Sequence, residues 1–186
     1  EKKKLLCSCI YGVDIDIHAV EVAKFSLLIK LIENETAPSV KAVTPILPDL
    51  STNILHGNSF VSAAELKGIK CTDEQLVEIV PLNWDELAVR NFDAIVGNPP
   101  YVTTEDIHSL IPAPEFDIYK KKYKTAHKQF DKYFIFLERA LQKVNKGGYV
   151  CYIVPNKFFK IGAGAKLREF IAKEKYLVSL DDFGAA

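Results

Sequence analysis

The stretch FDAIVGNPPYV, residues 92 to 102, places an amide, two prolines and an aromatic ring directly behind a run of apolar residues. Phe92, Ala94, Ile95 and Val96 suit a short strand buried on both faces, and Pro99 and Pro100 cannot donate to a sheet ladder, so the strand ends near Gly97. With two amide donors removed and φ fixed, the carbonyl of Pro99 and the side-chain oxygen of Asn98 can face one point as rigid acceptors. That pair suits a planar NH2 group with two protons to donate. An exocyclic amine on a base ring is a poor nucleophile because its lone pair is delocalised. Two acceptors that hold its hydrogens out of that arrangement expose the lone pair for in-line attack, which favours the transition state over the ground state. Tyr101 adds a ring on which a base can stack, worth about 1 to 3 kcal/mol. That offsets much of the few kcal/mol needed to unstack a base from a duplex.

A turn of this kind needs a scaffold, and short apolar runs alternating with helical patterns predict βαβ units and a mostly parallel sheet. CSCIYGVDID (7 to 16) reads as a strand ending in acids. Residues 17 to 35 read as the helix after it, with Asp16 as N-cap and Val22, Phe25, Ile29 and Ile32 along one stripe. Residues 34 to 52, with three prolines, read as a loop before a strand at 53 to 55 and the turn HGNSF. Residues 61 to 90 read as an insertion holding a helix that starts at Thr72, with Gln75 as its capping-box partner, and stops before Pro81. After the NPPY turn, residues 102 to 128 show no clean period and read as a long substrate-facing loop. Phe130, Phe134, Leu137, Leu141 and Val144 then mark a helix that NKGG stops, followed by a buried strand at 149 to 155, a helix at 164 to 176 and a last strand at 177 to 183.

Ligands of an open parallel sheet sit beyond the carboxyl ends of its strands. Those ends carry Asp14 with Asp16, Asn58 with Ser59, the NPPY turn, and Pro155 with Asn156. Asp14 could accept both hydroxyls of a nucleoside ribose, and Asn58 could read an adenine edge through an amide that donates and accepts. The structural alternatives are that Asp14 or Asp16 caps the next helix and that Asn58 is a turn residue.

The chain has 186 residues, 48% hydrophobic and 26% charged, enough for one domain core. Zero formal net charge leaves no global electrostatic argument for nucleic acid or membrane, so a basic footprint must be local. No run is long and apolar enough for a transmembrane helix, and the expectation is a soluble cytoplasmic protein without a membrane partner. Cys7, Cys9, Cys71 and Cys151 form no CxxC pair and read as buried free thiols, with no metal site. The chain holds no methionine where ordinary usage gives roughly four, so it reads as a piece of something larger. YKKKYKTAHKQFDKYF (119 to 134) gathers Lys120, Lys121, Lys122, Lys124, Lys128 and Lys132 among Tyr119, Tyr123 and Tyr133, which suits phosphates and stacked bases or else a solvated face.

The order YGVDID, ILHGNSF, FDAIVGNPPYV and FLERALQKVNKGGYVCYIVPNKFF resembles the S-adenosylmethionine-dependent N6-adenine DNA methyltransferases, most of all the methylase module of type IIG (type IIS) restriction-modification enzymes. The resemblance implies an α/β fold: a Rossmann-like class I methyltransferase sheet with helices on both faces, incomplete at its amino-terminal end, with residues 1 to 186 forming a single partial catalytic domain. It implies that Asn98, Pro99, Pro100 and Tyr101 are the catalytic tetrapeptide. Asp14 would bind the ribose hydroxyls of S-adenosylmethionine, Ile15 pack on its adenine, and Asn58, with Ser59 beside it, bond the adenine amine, Asn58 standing where the family usually has aspartate. Phe158 or Phe159 would supply a second wall for the target base, unless it is a core phenylalanine. Lys120, Lys121 and Lys124 would contact double-stranded DNA. The family's glycine-rich cofactor loop, the central strand, a target-recognition domain and a nuclease domain have no counterpart in these residues, and a parent polypeptide is expected to supply them. The alternatives from other classes are a protein N5-glutamine methyltransferase and a noncatalytic nucleic-acid-binding fragment.

Overall fold

The computed structural model describes residues 1–36, 47–84, 87 and 89–184. It divides into two compact units, Glu1–Arg90 and Asn91–Ala186. Each is a small mixture of helices around a two-stranded parallel sheet.

The first unit runs α1 (Lys2–Cys9), β1 (Gly12–Asp14), α2 (Ile17–Ile32), β2 (Ile54–His56) and α3 (Asp73–Ile79). Strand β1 pairs in parallel with β2, Gly12 opposite Ile54 and Asp14 opposite His56, so β1, α2 and β2 form one βαβ unit. The strand expected over 7 to 16 is shorter than its apolar run. Residues 2 to 9 contain no glycine or proline and wind into a helix whose Leu6 is buried, so Cys7 and Cys9 lie on a helix. Cys7 and Cys71 are half-buried, while Cys9 and Cys151 are exposed; all four are free thiols, but none is buried as expected. Asp16 caps α2, its carboxylate accepting from the His18 amide at 2.8 Å. The stripe on α2 is the opposite of the expected one. Val20, Ala23, Leu27, Leu28 and Leu31 pack with Leu6, Leu50 and Ile54, while Val22, Phe25, Ile29 and Ile32 are exposed, Phe25 by 66%. The helix is apolar on two faces, so periodicity alone does not choose between them. Asn53 locks the layers by donating to the carbonyls of Cys7 (2.9 Å) and Ile10 (3.0 Å). Helix α3 begins with the reciprocal Thr72–Gln75 capping box and ends at Val80, in the left-handed region before Pro81. The loop read over 34 to 52 lies partly outside the described residues, Pro38 and Pro45 included.

The second unit runs β3 (Phe92–Gly97), α4 (Thr104–Leu110), α5 (Ala113–Lys122), α6 (Lys132–Lys143), β4 (Val144–Tyr152), 3-10 turns at Asn156–Phe159 and Gly162–Gly164, and α7 (Ala165–Lys173). Strands β3 and β4 pair in parallel from Ala94 opposite Tyr149 to Gly97 opposite Tyr152, with a register shift after Phe92. The glycines of NKGG do not stop the helix. Helix α6 ends at Lys143, and Gly147 (φ +84°) and Gly148 absorb the irregularity inside β4, where a Cβ on Gly148 would stand 2.6 Å from the Asp93 carbonyl. Neither strand is buried on both faces: Val96 is 78% exposed, and a two-stranded sheet leaves its faces open. The strand expected over 177 to 183 does not form. Its alternating residues reach no ladder partner among the described residues, and Val178 is 81% exposed.

The long loop after NPPY is instead two helices. Thr103 caps α4 through the Asp106 amide, and Pro112 and Pro114 sit at the N-cap and in the first turn of α5, where a missing N–H costs nothing. Tyr119, Tyr133, Phe130, Phe134 and Ile135 form the fully buried centre of this unit. No helix among the described residues is long and apolar enough to cross a membrane.

Candidate active-site residues

The catalytic candidate sits at the carboxyl end of β3. Gly97 is held close under Tyr152, where a Cβ would meet the ring at 3.0 Å, and its carbonyl accepts from the Ile153 amide at 3.4 Å. Past it Asn98 and Pro100 are exposed and Pro99 is buried. The Tyr101 hydroxyl lies 2.6 Å from Asn98 Oδ1 and 3.0 Å from the Ile153 carbonyl, sharing one proton between two acceptors. An amide oxygen has two lone pairs, so one remains for a ligand, and the hydroxyl fixes which end of the amide is oxygen. The Pro99 carbonyl takes part in no backbone hydrogen bond among the described residues. Tyr101 is 49% exposed, with its ring edge-on to Tyr133 at 6.2 Å.

Behind Tyr101 stands a chain of rings. Tyr133 meets Phe134 at 4.7 Å and Phe158 at 6.3 Å, and Phe158 stacks obliquely on Phe159 at 4.0 Å. Phe158 is buried and Phe159 exposed, so of the two candidates for a second wall the available ring belongs to Phe159. Arg168 donates to the carbonyls of Phe158 and Ile161 and fixes the turn that carries both rings. Burial and the nearby Asp131 carboxylate push the Tyr133 phenol up, and its hydroxyl donates to the Pro155 carbonyl at 3.4 Å. Asp131, buried at the start of α6, pairs with Lys157 at 3.0 Å. This Asp131–Lys157 link between α6 and the turn after β4 had no local signal in the sequence, because its partners lie far apart along the chain.

The basic segment divides. Lys120, Lys121, Lys124 and Lys128 are exposed. The Lys120 ammonium is partly engaged: it donates to the Lys128 carbonyl at 3.1 Å and lies 5.2 Å from the centre of the Phe130 ring. Lys132 is half-buried, and loss of water pulls its ammonium below the usual range against the opposing pull of Glu115. Tyr119, Tyr123 and Tyr133 are core residues, so the aromatic half of the expected stacking surface is closed to a base.

In the first unit, the ends of β1 and β2 are joined by the Gly57 amide donating to the Asp14 carbonyl at 2.8 Å. Asp14 and Ile15 are exposed. Asp14 Oδ1 accepts from the Asp16 amide at 2.8 Å, which aims the carboxylate from the strand end. Asn58 is buried, its Oδ1 accepts from the Phe60 amide at 2.9 Å, and its backbone N–H donates to the Val80 carbonyl at 2.7 Å. Its side-chain oxygen is therefore a turn former, and Ser59 beside it is half-buried with its carbonyl accepting from the Trp84 indole at 3.2 Å. Gly57 is tightly enclosed, since a Cβ there would meet Leu82 at 2.9 Å.

Residues 8–186 match the family described as Eco57I restriction-modification methylase. The chain is 48% identical over 184 residues, 99% of its length, to the type II restriction enzyme and methyltransferase RM.Eco57I of Escherichia coli, and spans 18% of that protein. It is 38% identical over 86 residues, 46% of its length, to the type II methyltransferase M.PaeR7I of Pseudomonas aeruginosa, spanning 14% of it. It is 37% identical over 132 residues, 68% of its length, to the type II methyltransferase M.BstVI of Geobacillus stearothermophilus, spanning 22% of it.

Proposed function

We propose that this chain, which belongs to the Eco57I restriction-modification methylase family, is the adenine-N6 methyltransferase module of a restriction-modification enzyme, acting on an adenine turned out of double-stranded DNA. The observation that carries the reading is the NPPY turn at an exposed strand end, with the Asn98 amide oriented by Tyr101. The named activities of the relatives favour DNA over a glutamine side chain as the bearer of the NH2 group.

Asn98 Oδ1 and the Pro99 carbonyl each accept one hydrogen of the adenine amine. They turn its lone pair out of conjugation with the ring, and they bind the pyramidal, increasingly positive nitrogen more tightly than the planar one. The Tyr101 ring stacks on the base, with Phe159 as the second wall. Bulk water takes the proton released once the nitrogen is alkylated. S-adenosylmethionine, when bound, supplies the methyl group from a sulfonium centre.

The donor-site residues fit that molecule in part. Asp14 offers an exposed carboxylate for the ribose hydroxyls, and Ile15 an exposed apolar surface for the adenine. Asn58 and Ser59 contribute the shape of the turn, since Asn58 is buried with its oxygen turned to the Phe60 amide. In this reading both units belong to one cytoplasmic catalytic module with a Rossmann-like sheet, and Lys120, Lys121 and Lys124 contact DNA phosphates. The rest of the donor site, target recognition and any nuclease come from other parts of the same polypeptide.

The test is product identification. Protein expressed from the complete reading frame is incubated with methyl-labelled S-adenosylmethionine and duplex DNA, and the nucleosides are resolved. Label in N6-methyladenine supports the reading; label only in cytosine, or only in protein glutamine, contradicts it.

A further inference from the structure

We propose that Glu138 is the positioning residue of the basic segment: its buried carboxylate pins the turn that presents Lys124 to the DNA backbone. This rests on the reading of the chain as a DNA methyltransferase.

Glu138 lies in the middle of α6 and is 1% exposed. A carboxylate so placed is costly unless its oxygens are satisfied. Here Oε2 accepts from the Thr125 amide at 2.8 Å, and Oε1 accepts from the Lys124 amide at 3.1 Å and from Gln142 Nε2 at 3.3 Å. Two consecutive backbone donors therefore converge on one charged group, and charge-assisted bonds of this kind are stronger than neutral ones. They fall where α5 has ended at Lys122 and the chain reverses, with the Ala126 amide donating to Tyr123 at 3.2 Å and the His127 amide to Thr125 at 2.9 Å. Tyr123, Thr125 and Ala126 are buried on either side of Lys124, which is exposed between them. With both amides drawn inward to Glu138, the side chain of Lys124 faces solvent.

The same excursion is tied at its neck beside the catalytic turn. Thr104 Oγ1 donates to the Phe130 carbonyl at 2.6 Å and accepts from the Phe130 amide at 2.5 Å, while the Lys132 amide donates to the Val102 carbonyl at 2.8 Å. The segment leaves the sheet directly after Tyr101 and returns one hydrogen bond away from it. Glu138 is the link that fixes its far part to α6. A neutral amide of the same shape keeps one acceptor oxygen and turns an NH2 toward a backbone N–H, which releases half of the clamp.

The experiment measures binding of a labelled duplex at several salt concentrations by protein from the complete reading frame, in four forms: wild type, Glu138→Gln, Lys124→Ala and the double variant. S-adenosylmethionine affinity is measured alongside. Lys124→Ala is expected to weaken DNA binding and to flatten the salt dependence by about 0.9 in log-log slope, one phosphate contact. Glu138→Gln is expected to weaken DNA binding roughly tenfold with donor affinity unchanged, and the double variant to be no weaker than the weaker single variant within about twofold, as for members of one network. Additive penalties, or a Glu138→Gln protein that binds DNA like wild type while Lys124→Ala does not, would overturn the positioning role and leave the DNA reading intact. If neither substitution changes DNA binding, the basic segment does not face DNA and the proposal falls with it, whatever base is methylated. Should Glu138→Gln not fold, amide exchange in the wild type decides: DNA must slow exchange at Lys124 and Thr125, and unchanged exchange there refutes the proposal.

Discussion

Tyr101 is assigned two separable tasks, stacking through its ring and orienting Asn98 through its hydroxyl, and two substitutions divide them. Tyr101→Phe keeps the ring and removes the 2.6 Å bond to Asn98 Oδ1 and the 3.0 Å bond to the Ile153 carbonyl. Because the hydroxyl has one proton, the net loss is that of a single hydrogen bond, about 0.5–1.5 kcal/mol, and the exposed Asn98 amide gains freedom to rotate. At 1.36 kcal/mol per tenfold, methyl transfer should slow by about 2- to 13-fold. Tyr101→Ala also removes the stacking platform, a further 1–3 kcal/mol by the usual measure, so the total of about 1.5–4.5 kcal/mol corresponds to a loss of about 13- to 2,000-fold. The assay is single-turnover methyl transfer to a duplex with saturating donor, with donor affinity as a control that neither variant should change. Equal damage from the two substitutions would show that the ring is not a stacking surface. An alanine variant as fast as wild type would remove Tyr101 from the site altogether.

Two further predictions concern the scaffold. A Cβ at Gly164 would stand 2.1 Å from the Phe158 carbonyl, a backbone atom that cannot yield cheaply, whereas Gly162 faces open space. Gly164→Ala should destabilise the protein by about 1–3 kcal/mol in urea unfolding, and Gly162→Ala should stay within about 0.5 kcal/mol of wild type; equal midpoints would refute the close approach. Burial pushes the Tyr152 phenol up to about 12 from an ordinary 10.0. The folded state thus holds its proton more tightly than the unfolded state, so this stabilisation is fully present below pH 10 and is lost as pH rises toward 12. Tyrosinate absorbance should show late-titrating phenols whose amplitude falls by one tyrosine in Tyr152→Phe, the raised Tyr133 remaining, and a Tyr152→Phe protein that loses its amplitude near pH 10 instead would contradict the burial of Tyr152.

The local turns and caps of this chain were more legible than its packing. A turn built from Asn98, Pro99 and Pro100 is dictated locally, by fixed φ and missing donors, and the structure places it at a strand end with Asn98 exposed. The caps at Asp16 and Thr72 were equally local and both form. Errors arose where a distant partner decides. The residues of α2 offered two apolar stripes, and Leu6, Leu50 and Ile54 selected the one with Val20 and Leu27. Residues 177 to 183 alternate like a strand, yet alternation supplies no ladder partner. Pro112 and Pro114 read as loop markers in sequence, yet proline is at home in a first helical turn, and both sit at the start of α5. Tyr119, Tyr123 and Tyr133 share a segment with the lysines in composition, but helical geometry turns Tyr119 and Tyr133 inward and leaves Lys121 outside, and the turn after α5 buries Tyr123 and exposes Lys124. Glu138 showed nothing in sequence, because its partners Lys124 and Thr125 lie 14 and 13 residues away, in the turn before α6.

The most direct measurement is the single-turnover rate of Asn98→Ala in protein from the complete reading frame, with S-adenosylmethionine and DNA affinities measured on the same preparation. Removing one preorganised acceptor from the reacting amine should lower the rate by about 100- to 1,000-fold, in line with the loss of one donor or acceptor aimed at developing charge, while both affinities persist. A variant that binds donor and DNA normally and transfers methyl at the wild-type rate would contradict the mechanism at its centre.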